Sequence, residues 1–130
     1  MSTINKFILV DYDSINNMLN EFIISSEFPD AEIIAFTLPL KGLEYILSFY
    51  GNMNAKKTIL FLDINMPKMS GWDFMVQIEK ADAVIKENLI IYILSSSINL
   101  ADINKAKENP NIVGYIEKPL TTEFIQSLKV

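Results

Sequence analysis

Five short apolar runs punctuate the chain: Phe7 to Val10, Ile33 to Phe36, Ile59 to Leu62, Leu89 to Leu94 and Val113 to Ile116. Each is rich in Ile, Leu, Val and Phe, and most show no polar alternation. Runs of this length and continuity suit strands of a parallel sheet covered on both faces. Between them the apolar period lengthens to that of a helix. Ile15, Met18, Leu19, Phe22 and Ile23 recur at the spacing of an amphipathic stripe; Leu43, Ile46, Leu47 and Tyr50 form a second, and Phe74, Ile78, Ala81 and Ile85 a third. Ile103 and Ala106 mark a fourth helix, with Asn99 ahead of Asp102 as its N-terminal cap and Pro110 as its stop. Phe124 and Leu128 mark a fifth, capped by Thr121. All five stripes read as core-facing. A β-α unit repeated five times predicts a doubly wound α/β domain, because parallel strands need crossover helices.

Composition narrows what such a domain can do. The 130 residues are the size of one domain, and 50% of them are hydrophobic, enough for a core without covalent staples. Cysteine is absent, which excludes disulfides, thiolate metal sites and cysteine nucleophiles. Histidine is also absent, which removes the commonest general base and the possibility of a histidine phosphodonor. A net charge of −5 argues against nucleic acid as a partner. No apolar run approaches the roughly 18 residues of a membrane span, and the N-terminus lacks the pattern of a signal peptide. A cytoplasmic, single-domain protein spanning 1–130, with no membrane partner and no attached output domain, is the expectation.

In open parallel sheets, ligands bind beyond the carboxyl ends of the strands. The first run ends in Asp11, the third in Asp63, the fourth in Ser95, Ser96 and Ser97, and the fifth in Glu117, Lys118 and Pro119. Taken singly, each has an ordinary structural role: an Asp forms a turn, a Ser caps a helix, a Lys-Pro bends the chain. Taken together, two carboxylates, a hydroxyl and an ammonium converge on one edge. Two close carboxylates repel unless a cation intervenes, and Mg2+ suits hard oxygen ligands. A carboxylate beside Mg2+, a lysine and a hydroxyl can receive a phosphoryl group.

The residues around these positions carry a resemblance. Asp63-Ile64-Asn65-Met66-Pro67-Lys68-Met69-Ser70-Gly71 resembles the D-x-x-M-P-x-x-x-G motif of response-regulator receiver domains, the CheY-like switches of two-component signalling. Ile91 to Ser96 resembles the fourth strand of that family with its switch Ser/Thr, and Gly114 to Leu120 the fifth strand with its Lys-Pro. The resemblance implies a flavodoxin-like (βα)5 fold with a five-stranded parallel sheet in the order 2-1-3-4-5. It implies Asp63 as phosphoacceptor, assisted by Ser95 and Lys118, with a cis Lys118–Pro119 bond. Asp11, Asp63 and the backbone carbonyl of Asn65 would hold Mg2+. Ser95 and Tyr115 would form the switch, reshaping the surface of the fourth helix, fifth strand and fifth helix. A small residue, Ser96, would leave the site open to its donor. The partners implied are a histidine kinase or phosphotransfer protein and a downstream target, for a monomer or weak dimer used in relay or in direct binding. The domain would catalyse its own phosphorylation and dephosphorylation without being an enzyme for other substrates.

One departure bears on the metal. The family places two adjacent acids after the first strand; here Asp11 is followed by Tyr12, whose hydroxyl is neutral near pH 7 and a poor Mg2+ ligand, its ordinary pKa being about 10. Asp13 either serves in its place, directly or through water, or caps the first helix. Weaker Mg2+ binding is therefore expected. Two other readings compete. A pseudo-receiver, the same fold used as a constitutive protein-binding module, rests on Tyr12. A phosphatase of the haloacid-dehalogenase type rests on Asp11-Tyr12-Asp13, but the serines after the fourth run stand where that family needs acids.

Overall fold

The computed structural model describes residues 4–49 and 57–129; Tyr50 of the second stripe and the first three residues of the N-terminus lie outside them. The five apolar runs are strands: β1 (Lys6–Val10), β2 (Glu32–Phe36), β3 (Thr58–Asp63), β4 (Leu89–Ser95) and β5 (Ile112–Glu117). All pair in parallel, in the order β2-β1-β3-β4-β5, as the resemblance implies. Alternate residues of the three central strands feed opposite faces. Ile8, Val10, Leu60, Leu62, Ile91 and Ile93 face one cluster, while Phe7, Leu9, Ile59, Phe61 and Leu94 face the other. Burial on both sides explains why these runs lack polar alternation. The edge strands are less covered, and Val113 of β5 is largely exposed.

Six helices complete the described residues: α1 (Ser14–Glu27), α2 (Pro39–Phe49), α3 (Gly71–Glu79), α4 (Ala83–Asn88), α5 (Leu100–Glu108) and α6 (Thr122–Ser127). Ile24 of α1 and Ile125 of α6 pack on one face of the sheet; Ile46, Phe74, Ile78, Ile85 and Ala106, from α2 to α5, pack on the other. The predicted caps are formed: Asn99 Oδ1 accepts from the Asp102 amide at 3.1 Å and Thr121 Oγ1 from Phe124 at 3.1 Å. The third stripe is two helices rather than one. The chain turns at Lys80–Ala81 and restarts with Asp82 as N-cap, so Ile85 reaches the core from a separate short helix.

The first stripe is helical, but only Ile23 of it packs against the core; the rest faces away from the sheet. Ile15, Met18, Leu19 and Phe22 are 60%, 63%, 49% and 71% exposed. The buried face of α1 is Asn17, Asn20 and Ile24, which repeat at the same helical period. Asn17 is tolerated inside because its Nδ2 donates to the backbone carbonyls of Asp11 and Phe36. Apolar periodicity identifies a helix but does not say which of its faces meets the sheet, and contiguous exposed apolar residues mark interaction surfaces. No helix among the described residues is long and apolar enough to cross a membrane.

Candidate functional site

Asp11 follows β1 and Asp63 ends β3, neighbouring strands in the sheet, so both carboxylates arrive at its carboxyl edge. Asp11 is 2% and Asp63 4% exposed. Lys118, just beyond β5, reaches across to both: its Nζ lies 2.8 Å from Asp11 Oδ2 and 3.2 Å from Asp63 Oδ1. Its backbone amide donates to Ser95 O at 2.7 Å, tying the ends of β4 and β5 together, and the Lys118–Pro119 bond is cis. Asp11 Oδ2 meets the Lys118 ammonium as an ion pair and accepts no bond from any other group among the described residues.

The turns after each strand hold the acids. Asp11 Oδ1 accepts from the Asp13 amide at 2.9 Å and Asp63 Oδ1 from the Asn65 amide at 3.2 Å. Beyond Asn65, Lys68 adopts a left-handed backbone with φ 70°, unusual for a residue with a Cβ, and Gly71 presses against the chain at Ile64. Ser70 and Asp73 then close a capping box that starts α3.

Burial raises the Asp63 carboxyl above its ordinary value, and the nearby charge of Asp11 raises it further; Lys118 and the Asn65 amide pull the other way. Burial works against the charge on Lys118, but its bonds and attraction to Asp11 and Asp63 prevail, so its pKa is raised. The arrangement is one ammonium shared by two buried carboxylates.

Of the candidate residues, Asp11, Asp63 and Lys118 come together directly. Ser95 is buried on the same edge, but its hydroxyl donates to Ser97 O at 2.9 Å. Tyr115 OH donates to that same carbonyl oxygen at 3.0 Å, so Ser97 joins the two switch candidates. Residue patterns mark side chains, and gave no sign of a shared backbone acceptor. Asp13 does not join the pocket: its Oδ1 accepts from Ile15 N at 2.9 Å and caps α1. Tyr12 is 55% exposed and lines an apolar groove of about 490 Å³ with Leu38, Leu40, Pro67 and Met69. Among the described residues no three acidic side chains form a cluster. Two buried carboxylates with one ammonium leave a residual negative charge, and among the described residues Asp11 Oδ2 has only the shared Lys118 ammonium against it; both features fit a hard cation.

Comparison with known proteins gives a consistent picture. The sequence profile of the family described as "Response regulator receiver domain" matches residues 8–128. A two component response regulator from Cytophaga hutchinsonii is 29% identical with a TM-score of 0.87, over 97% of this chain and 94% of that one. A response regulator receiver protein from Dyadobacter fermentans superposes with a TM-score of 0.85 at 20% identity, over 95% and 93%. The phosphorylated cyanobacterial phytochrome response regulator RcpA superposes with a TM-score of 0.76 at 20% identity, over 97% and 91%. No curated protein sequence matches the chain.

Proposed function

Since the chain belongs to the response regulator receiver family, we propose that it is a phosphorylation-driven switch whose phosphoacceptor is Asp63. Receivers of this family are generally phosphorylated on an aspartate, by histidine kinases or phosphotransfer proteins, and act on downstream targets. The observation that carries the residue assignment is the Lys118 ammonium lying against both Asp11 and Asp63, at 2.8 and 3.2 Å.

Asp63 Oδ1 is engaged by Lys118 and the Asn65 amide, which leaves Oδ2 as the oxygen that attacks phosphorus. The P–O bond forms as the P–N bond of the donor phosphohistidine breaks, and the imidazole leaves. Asp11, Asp63 and the Asn65 carbonyl would hold Mg2+, which supplies positive charge against the phosphoryl oxygens. Lys118 supplies the protein's own positive charge beside Asp63. Ser95, released from Ser97 O, hydrogen-bonds the new phosphoryl group, and Tyr115 loses its co-donor on that carbonyl. The surface of α5, β5 and α6 changes as a result. The exposed stripe of α1 begins next to the pocket and offers the donor an apolar face. The chain turns over only its own aspartyl phosphate.

The alternative, a constitutive binding module of the same fold, draws on one observation: neither Tyr12 nor Asp13 is brought to the carboxylate pair. Beryllofluoride, a phosphoryl mimic, separates the two. With Mg2+ it is expected to shift the backbone amide signals of Ser95, Ser97 and Tyr115 in the wild type and to leave them in place in Asp63→Asn. Unmoved signals in the wild type favour the constitutive module.

Tyr12 sets the metal affinity in this reading. Tyr12→Asp adds a third acid beside Asp11 and is expected to tighten Mg2+ binding by about tenfold, as a supporting ligand typically does. Calorimetric titration of both proteins checks it, and equal affinities contradict it.

A further inference from the structure

Asn17 makes two hydrogen bonds that nothing in the chemistry of Asp63 calls for. Its Nδ2 donates to Asp11 O at 3.1 Å and to Phe36 O at 3.2 Å. The Asp11 amide donates to the same Phe36 carbonyl at 3.0 Å. One buried side chain of α1 therefore pins the end of β1 to the end of β2, at the residue that carries the first acid.

The arrangement is costly. Asn17 is only 5% exposed, and its Oδ1 is buried without a hydrogen-bond partner. An unsatisfied buried carbonyl destabilises a fold, and an apolar residue at this position would avoid it. An exposed apolar stripe lies on the opposite face of the same helix, while Asn17 and Asn20 are turned inward beside Ile24. Retained strain of this kind is expected where position matters more than stability.

What Asn17 positions follows from the covalent geometry. Fixing the carbonyl oxygen of Asp11 fixes the plane of the Asp11–Tyr12 peptide and with it the turn that follows. That turn brings the Asp13 amide to 2.9 Å from Asp11 Oδ1. Between them, these two restraints aim the Asp11 carboxylate at Lys118 and Asp63. The need is sharper here than with two adjacent acids, because Tyr12 contributes no carboxylate and Asp13 is committed to the helix cap.

We propose that Asn17 is a positioning residue of the cation pocket, holding Asp11 by its backbone carbonyl so that its carboxylate is presented to Mg2+. The proposal rests on the reading that Asp11 and Asp63 hold the cation. Supporting partners of metal ligands typically change metal affinity by about 10–100-fold when removed.

The test compares wild type, Asn17→Ala, Asn17→Ser and Ile24→Val. The last removes a methyl group from the same buried face of α1 without touching Asp11. Mg2+ affinity is measured by titration calorimetry, and the Asp13 amide signal is followed by NMR in metal-free protein. Asn17→Ala is expected to weaken Mg2+ binding at least tenfold and to move the Asp13 amide, whose bond to Asp11 Oδ1 loosens. Asn17→Ser, which keeps one donor, falls between, and it decides the matter if Asn17→Ala does not fold. Ile24→Val changes neither readout, whatever its melting temperature. Wild-type Mg2+ affinity together with an unmoved Asp13 amide in the Asn17 variants overturns the proposal. A wild type that binds no Mg2+ overturns the pocket reading instead, and the metal-free amide signal still decides whether Asn17 positions Asp11.

Discussion

Lys118→Ala is expected to lower stability at neutral pH by about 2–3 kcal/mol, the low end for removing one partner from a buried charge cluster, since the ammonium keeps some solvent contact. The loss comes from what stays behind: two carboxylates, 2% and 4% exposed, facing each other with no protein cation between them. The pH dependence has a definite sign. A carboxyl raised in the folded state, as Asp63 is by burial and by Asp11, contributes stability that is full below the ordinary value of 3.8. That stability is lost as pH rises through the folded value. Without Lys118 the folded value climbs further, so the variant loses more stability than wild type between about pH 4 and neutrality. Lys118, also raised, contributes stability present below its ordinary 10.5 and lost only as pH rises through its higher folded value. The gap between the two proteins should therefore be small near pH 4 and largest from neutrality to about pH 9. Urea unfolding at pH 4.5, 7 and 9 measures it. Adding Asp63→Asn to the variant should recover most of the loss at pH 7. A gap of equal size at every pH would show that the loss is one of packing rather than charge.

Gly71→Ala should be as damaging, for a steric reason. A Cβ at this position would sit 2.7 Å from Ile64 Cα and 2.9 Å from Asp63 O. Both are backbone atoms, so the clash is relieved only by moving the turn that carries the acceptor. Gly71 N also donates to Ile64 O at 3.0 Å, which locks the start of α3 to the end of β3. Overpacking of this kind costs about 2–3 kcal/mol, a fall of roughly 10 °C in melting temperature for a domain of this size. Phosphorylation should drop with it, because Asp63 is displaced. Gly114→Ala is the informative contrast: its Cβ would meet only the Tyr92 ring, at 3.1 and 3.2 Å, and a side chain can give way. Thermal melts of the two variants check this, and equal melting temperatures would contradict it.

The strands were legible because central parallel strands are buried on both faces, and such burial leaves no polar residue in runs such as Ile59 to Leu62. The carboxyl edge was legible for a related reason: Asp11, Asp63, Ser95 and Lys118 each stand where a run of apolar residues stops. Strand order was not contained in periodicity and came with the motif around Asp63. What failed was orientation. The stripe of Ile15, Met18, Leu19 and Phe22 carries the right period for a helix, and the period is the same whether the face meets a core or another protein. The third stripe ran through Ala81 to Ile85 without interruption, since a turn at Lys80 that needs neither Gly nor Pro leaves no mark. Asp13 stood between two roles on composition alone, and its bond to the Ile15 amide places it on the helix. Asn17 and the Ser97 carbonyl escaped notice because their importance lies in backbone hydrogen bonds.

The assignment of Asp63 is tested most directly by the mass of the intact protein after incubation with acetyl phosphate and Mg2+, in wild type and in Asp63→Asn. A single phosphoryl adduct is predicted on the wild type and none on the variant. An adduct that persists in Asp63→Asn would contradict the assignment and move attention to Asp11, the other buried carboxylate against Lys118.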